Sequence, residues 1–213
     1  MMLAYSPLSP TVNWLAHLLL SEPTAMDRVG GLLPDVAPPT LLRALPPPFQ
    51  SGIERHRQID AFTDRHPIFR RSVARLQPPH RRYGAVYMDI FYDHLLTAHW
   101  PRYSIIALRE FADEVHAAFD ECRDHLPSEV NSIFHRMRAA AWLTSYGELD
   151  GVRITLQRMS QRLRRPFDLA SGVDQLERCY DDLRDDFLEF FPQAIQRFRP
   201  ILAAAADNRR TGH

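Results

Sequence analysis

The residues best suited to chemistry fall in two short clusters of histidine and aspartate. In "GIERHRQIDAFTDRHP", Gly52 to Pro67, His56, Asp60 and Asp64 stand four apart. Steps of four advance about 40° around an α-helix and ~6 Å along it, so the three side chains share one face. Imidazole and carboxylate are ligands for Mn²⁺, Mg²⁺ or Fe²⁺, whereas structural zinc sites more often use thiolates. The competing arrangement is a solvated surface, with Asp60 and Asp64 paired to Arg57 and Arg65 and His56 as a surface or capping residue.

In "YMDIFYDHLLTAHW", Asp89 and Asp93 are again four apart and His94 follows, among Tyr87, Met88, Ile90, Phe91, Tyr92, Leu95 and Leu96. A helix this apolar around its circumference is buried, and buried carboxylates require a cation or several hydrogen bonds. Either a metal or an arginine from another helix meets that need. Two further candidates lie upstream, His17 in "NWLAHLLLS" and Asp35 in "GGLLPDV". A lone histidine on an apolar helix is more often a hydrogen-bonded core residue than a ligand. An aspartate before a Pro-rich turn is more often a cap or an Asx turn. No GxSxG, Walker A or GxGxxG motif is present to suggest other chemistry.

The elements that position these residues read as helices. Apolar residues recur at three- and four-residue steps and no segment alternates with period two, which predicts an all-α protein. Proline-rich breaks divide the chain into about eight to ten helices of ordinary length. The last has its apolar stripe on Leu176, Tyr180, Leu183, Phe187, Phe190 or Phe191, Ile195 and Phe198; its many acids read as a solvated face, and Pro192 is expected to kink or split it. At 213 residues a single compact domain is expected. The 26 acidic and 26 basic residues balance, so overall charge points to no nucleic-acid partner. Every basic residue is arginine, and eight arginines between residues 54 and 82 face only three acids. Cys122 and Cys179 form no metal or disulfide framework, which suits a reducing cytoplasm. No apolar run reaches the ~20 residues of a membrane helix, so no membrane insertion is expected.

The ordered motifs "NWLAHLLLS", "GGLLPD", "GIERHRQIDAFTDRHP" and "MDIFYDHLLTAHW" resemble those of the acyl carrier protein phosphodiesterases, an atypical relative of the HD phosphohydrolases. The resemblance implies hydrolysis of the phosphodiester that joins 4'-phosphopantetheine to a serine of holo acyl carrier protein, with a divalent cation, typically Mn²⁺, as cofactor. It implies metal ligands drawn from Asp35, His56, Asp60, Asp89 and His94. Asp64 and Asp93 are then candidates to orient water or relay a proton, and His17 and Arg57 to contact substrate. The protein substrate is acidic, and the arginines of residues 54 to 82 could steer it. The chain departs from the family in carrying Gly30-Gly31 where Gly-Asn is usual, and in having Asp93-His94 rather than a His-Asp pair. The expected layout is a dispensable extension at residues 1–11, a phosphodiesterase domain at 12–206 and a flexible tail at 207–213. Two rivals are a metal-dependent phosphohydrolase for a nucleotide or other small phosphoester, and an arginine-rich helical binding module without catalysis.

Overall fold

A computed structural model describes residues 13–161, 163 and 165–199. The proposed extension at 1–11 and tail at 207–213 lie outside the described residues. Among those residues the chain forms one helical core with no strand. In chain order the helices are α1 (Trp14–Leu20), α2 (Ala25–Gly30), α3 (Leu33–Val36), α4 (Pro39–Ala44), α5 (Pro47–Arg65), α6 (Pro67–Arg75) and α7 (Gly84–Ala98). They continue with α8 (Leu108–Cys122), α9 (Ser128–Ala139), α10 (Trp142–Ser145), α11 (Leu149–Ser160), α12 (Val173–Arg178) and α13 (Tyr180–Phe198). The count exceeds the expectation because proline-bounded segments such as 33–44 form short helices of four and six residues.

Prolines punctuate the helices that carry the site. Pro47 and Pro48 open α5 and Pro67 opens α6, where a missing N–H costs nothing. His66 separates the two, accepting the Ile68 N–H on its side chain as the N-cap of α6. Pro192 does not split α13, which runs unbroken through it to Phe198. The burial of Phe187, Phe190, Phe191 and Phe198 around that position holds the helix together despite one lost hydrogen bond.

α7 is the central helix: every residue from Val86 to Leu96 is buried. Both α1 and α6 pack on it, and α13 covers α6, with Phe69 and Phe190 meeting Tyr92 at ring separations of 5.8 and 5.5 Å. α13 is not simply acidic outside and apolar inside. Its Asp186 is buried and accepts hydrogen bonds from Arg71, Arg75 and Ser72 on α6. Arg75 also reaches Asp182, and Arg71 reaches Glu189. Those two arginines are therefore tied into the fold, as is Arg55, which bonds Glu22. The exposed arginine face is smaller than the sequence suggests.

Glycine makes the α2–α5 crossing close. A Cβ on Gly52 would lie 2.2 Å from the Asp27 carbonyl oxygen, and one on Gly30 would lie 2.5 Å from that of Phe49. This contact brings the backbone after α2 against His56. Gly52→Ala is expected to force the helices apart at a cost of about 1 to 3 kcal/mol, visible as a lowered melting temperature. An unchanged melting temperature would show that the crossing has slack.

Candidate metal centre

Four helices deliver the site. α5 presents His56 and, one turn on, Asp60; α1 presents His17; α3 presents Asp35; and α7 presents Asp89. His17 Nε2 lies 3.1 Å from Asp60 Oδ1, and His56 Nε2 lies 3.2 Å from Asp60 Oδ2 and 3.7 Å from Asp35 Oδ1. The two imidazoles stack with centroids 4.1 Å apart. His17, His56 and Asp60 form a group able to hold a metal ion, each offering one atom within 4.8 Å of the others.

The hydrogen bonds determine which atoms carry protons. His56 Nδ1 is 2.7 Å from the Gly31 carbonyl, which can only accept, so Nδ1 bears the hydrogen. In the neutral ring, Nε2 then directs a lone pair at two carboxylates. Acceptors facing one another need a proton or a cation between them. A carbonyl that fixes one ring nitrogen and frees the other is the usual support of a metal-binding histidine. Gly31 supplies this through its backbone carbonyl, so the contact depends on no side chain at that position.

Protons on the two imidazoles can meet Asp60, but they leave Asp89 Oδ2 without a partner among the described residues. Burial lowers His17 to a pKa of about 4, helped by the charge of His56 and opposed by Asp60. His17 is therefore neutral, and Nδ1 has no hydrogen-bond partner among the described residues. Its Nε2, 3.1 Å from Asp60 Oδ1, either donates to that oxygen or offers a lone pair beside it, according to which ring nitrogen carries the hydrogen. Burial disfavours the charged form of His56, yet Asp60 and Asp35 together raise its pKa above 6.5. Burial also acts against ionised Asp60, but its contacts with His17 and His56 bring its pKa down.

Asp89 makes the electrostatic demand plainest. It is buried, Oδ2 has no hydrogen-bond partner among the described residues, and burial with the charges of Asp60, Asp35, Asp93 and Asp64 pushes its pKa far up. A buried carboxyl under the charges of four other aspartates is one whose ionised form a hard divalent cation would stabilise. Asp89→Asn is accordingly expected to stabilise the metal-free protein, measured as a higher melting temperature in chelator. A lower one would show Asp89 in a structural hydrogen bond.

The other sequence candidates sit as follows. Asp35 is buried and accepts the Trp14 indole N–H at 2.7 Å, a support the sequence did not reveal. Asp64 is exposed one turn beyond Asp60, its pKa raised by partial burial and by Asp60. Asp93 turns both oxygens to the backbone N–H groups of Leu15 and Ala16, at 2.9 and 3.0 Å. Burial pushes it up to about 8 against those two donors. His94 is buried with Nδ1 2.7 Å from the Tyr146 carbonyl, the same tautomer-fixing contact as His56, and its ring packs against Tyr180. No described hydrogen bond or ion pair joins it to His17, His56 or Asp60. Arg57 is exposed, with its guanidinium 3.7 Å from Glu54.

This geometry meets an independent comparison. The profile of a family described as acyl carrier protein phosphodiesterase matches residues 12–194. The chain belongs to the acyl carrier protein phosphodiesterase family. It is 28% identical over 187 residues to an acyl carrier protein phosphodiesterase of Yersinia pestis, covering 87% of this chain and 97% of that one. It is 29% identical over 185 residues to one of Enterobacter sp. (strain 638), covering 86% and 96%. One from Serratia proteamaculans (strain 568) is 28% identical over 187 residues, covering 87% and 97%. Membership identifies the chain as one of a hydrolase family, and the match spans every residue of the cluster. No solved structure matches the chain, so no structural neighbour bears on the likeness to HD phosphohydrolases. No helix of the described residues is long and apolar enough to cross a membrane.

Proposed function

We propose that the protein hydrolyses the phosphodiester of holo acyl carrier protein, releasing 4'-phosphopantetheine and apo carrier protein, with a divalent cation, Mn²⁺ by preference, as cofactor. The observation that supports metal dependence is His56 Nε2 held against Asp60 and Asp35 beside a neutral His17. The substrate follows from membership of the family and from the names of its relatives. His17, His56 and Asp60 would hold the ion, with Asp35 and Asp89 as further carboxylate donors and His94 available through Nε2. When bound, such an ion neutralises phosphodiester charge and acidifies water near neutral pH.

The chain's own residues perform the remaining tasks. Gly31 and Trp14 orient His56 and Asp35, so the donor set is preorganised before substrate arrives. Asp64, exposed at the edge of the cluster with a raised pKa, is placed to orient the attacking water or hand a proton to the serine oxygen. Arg57 is available to phosphate only by leaving Glu54. Arg65, Arg70 and Arg82 are exposed and can steer an acidic carrier protein.

Intact-mass measurement of holo carrier protein incubated with the protein and Mn²⁺ tests this function. Loss of the prosthetic arm's mass is expected. Retention of the arm together with hydrolysis of nucleotides would favour a small-phosphoester hydrolase.

Binding must also release protons. His56 carries its proton more tightly than an ordinary histidine, and that proton occupies the lone pair the ion needs. Mn²⁺ affinity is therefore expected to fall as pH drops through and below the His56 pKa. Calorimetry in buffers of different ionisation enthalpy at pH ~6.5 would register the released protons, and no buffer dependence would remove His56 from the ligand set.

A further inference from the structure

The seven residues of α1 are too few to hold an orientation through backbone hydrogen bonds alone, yet the helix serves the centre twice. His17 faces Asp60, and Trp14 holds Asp35. Each end of α1 is fixed by a polar side chain from elsewhere in the fold. At the start, where Asn13 provides no side-chain cap, the Asp93 carboxylate of α7 accepts the Leu15 and Ala16 N–H groups. At the end, Arg199, which follows α13, donates from Nη1 to the carbonyls of Leu19, at 3.2 Å, and Ser21. Carboxyl oxygens at the first turn and a guanidinium at the last satisfy orphan backbone groups, and the cation also complements the helix dipole.

We infer that Asp93 and Arg199 are positioning residues that clamp α1 and thereby hold His17, and Asp35 through Trp14, in register with His56 and Asp60. This rests on the ligand role given to His17 above. Asp93 then acts through α1 and does not carry a proton in the reaction. Arg199 lies beyond the family match, which ends at residue 194, so this half of the clamp belongs to the C-terminal end of the chain.

The test is a double-mutant cycle on Mn²⁺ affinity, measured by calorimetry, with melting in chelator as a control for folding. Arg199→Met is expected to weaken binding by about 10- to 100-fold, the usual cost of losing a residue that orients a ligand. In a His17→Ala background the same substitution is expected to change affinity less than about twofold, because the group it positions is gone. Asp93→Asn should follow the same pattern. If Arg199→Met does not fold, Arg199→Lys is put through the same cycle, with a loss of about tenfold expected.

Equal losses in both backgrounds, or a folded Arg199 variant with unchanged affinity, would overturn the clamp while leaving the metal centre intact. A His17→Ala protein that binds Mn²⁺ as tightly as wild type would overturn the ligand role of His17 and the clamp with it.

Discussion

Asp60→Asn is expected to reduce Mn²⁺-dependent hydrolysis by more than about 100-fold, since even residues that merely orient ligands cost 10- to 100-fold. Asp60 is the hub of the cluster: one oxygen faces His17 and the other His56. The substitution keeps shape and volume but replaces one oxygen with an N–H donor. That donor can bond an imidazole lone pair directly, which removes the need for a cation and blocks its place. The variant should therefore fold normally, melt at or above the wild-type temperature in chelator, and gain little from added Mn²⁺. Turnover assays with melting curves in Mn²⁺ and in chelator check this. Wild-type turnover in Asp60→Asn would place the reacting centre elsewhere.

Asp186→Ala should produce the largest loss of stability. Asp186 is 1% exposed and accepts from Arg71 Nε at 2.8 Å, Ser72 Oγ at 2.8 Å, and Arg75 Nε and Nη2 at 2.6 and 3.0 Å. Breaking a buried ion pair from one side costs about 3 to 5 kcal/mol. The lower end applies because Arg71 and Arg75, 46% and 27% exposed, can turn to water and Ser72 keeps Tyr92. A loss of about 3 kcal/mol lowers the melting temperature of a chain this size by about 6 to 12 °C.

The pH dependence has a definite sign. Burial works against the Asp186 carboxylate, but Arg75, Ser72 and Arg71 hold its pKa below 3.8. Its contribution is complete above the unfolded value and is lost as pH falls through the folded one. Wild type and Asp186→Ala should therefore converge in stability in acid. A constant gap down to low pH would mean that the loss comes from packing alone.

These residues also mark what sequence can convey. The spacing of His56 and Asp60 put both on one helix face, and the apolar setting of Asp89 signalled burial, because helical period and hydrophobicity are local properties. His17 looked like a core histidine and was assigned to substrate. Only tertiary packing, between residues far apart in sequence, sets it against Asp60. The acids of α13 looked like a solvated face because nothing near Asp186 in sequence announces Arg71 and Arg75. The Gly31 carbonyl that fixes the His56 tautomer carries no side-chain signal at all. Helices and their apolar faces were thus legible, whereas contacts made by long-range packing or by the backbone were not.

The central claim is that the cluster of His17, His56 and Asp60 holds the catalytic cation. Anomalous diffraction at the manganese edge from crystals grown with Mn²⁺ tests it most directly. The strongest anomalous peak should lie among His17 Nε2, His56 Nε2 and the Asp60 carboxylate, and should vanish in Asp60→Asn. A protein that hydrolyses its substrate while its only manganese peak lies away from these three residues would contradict the account.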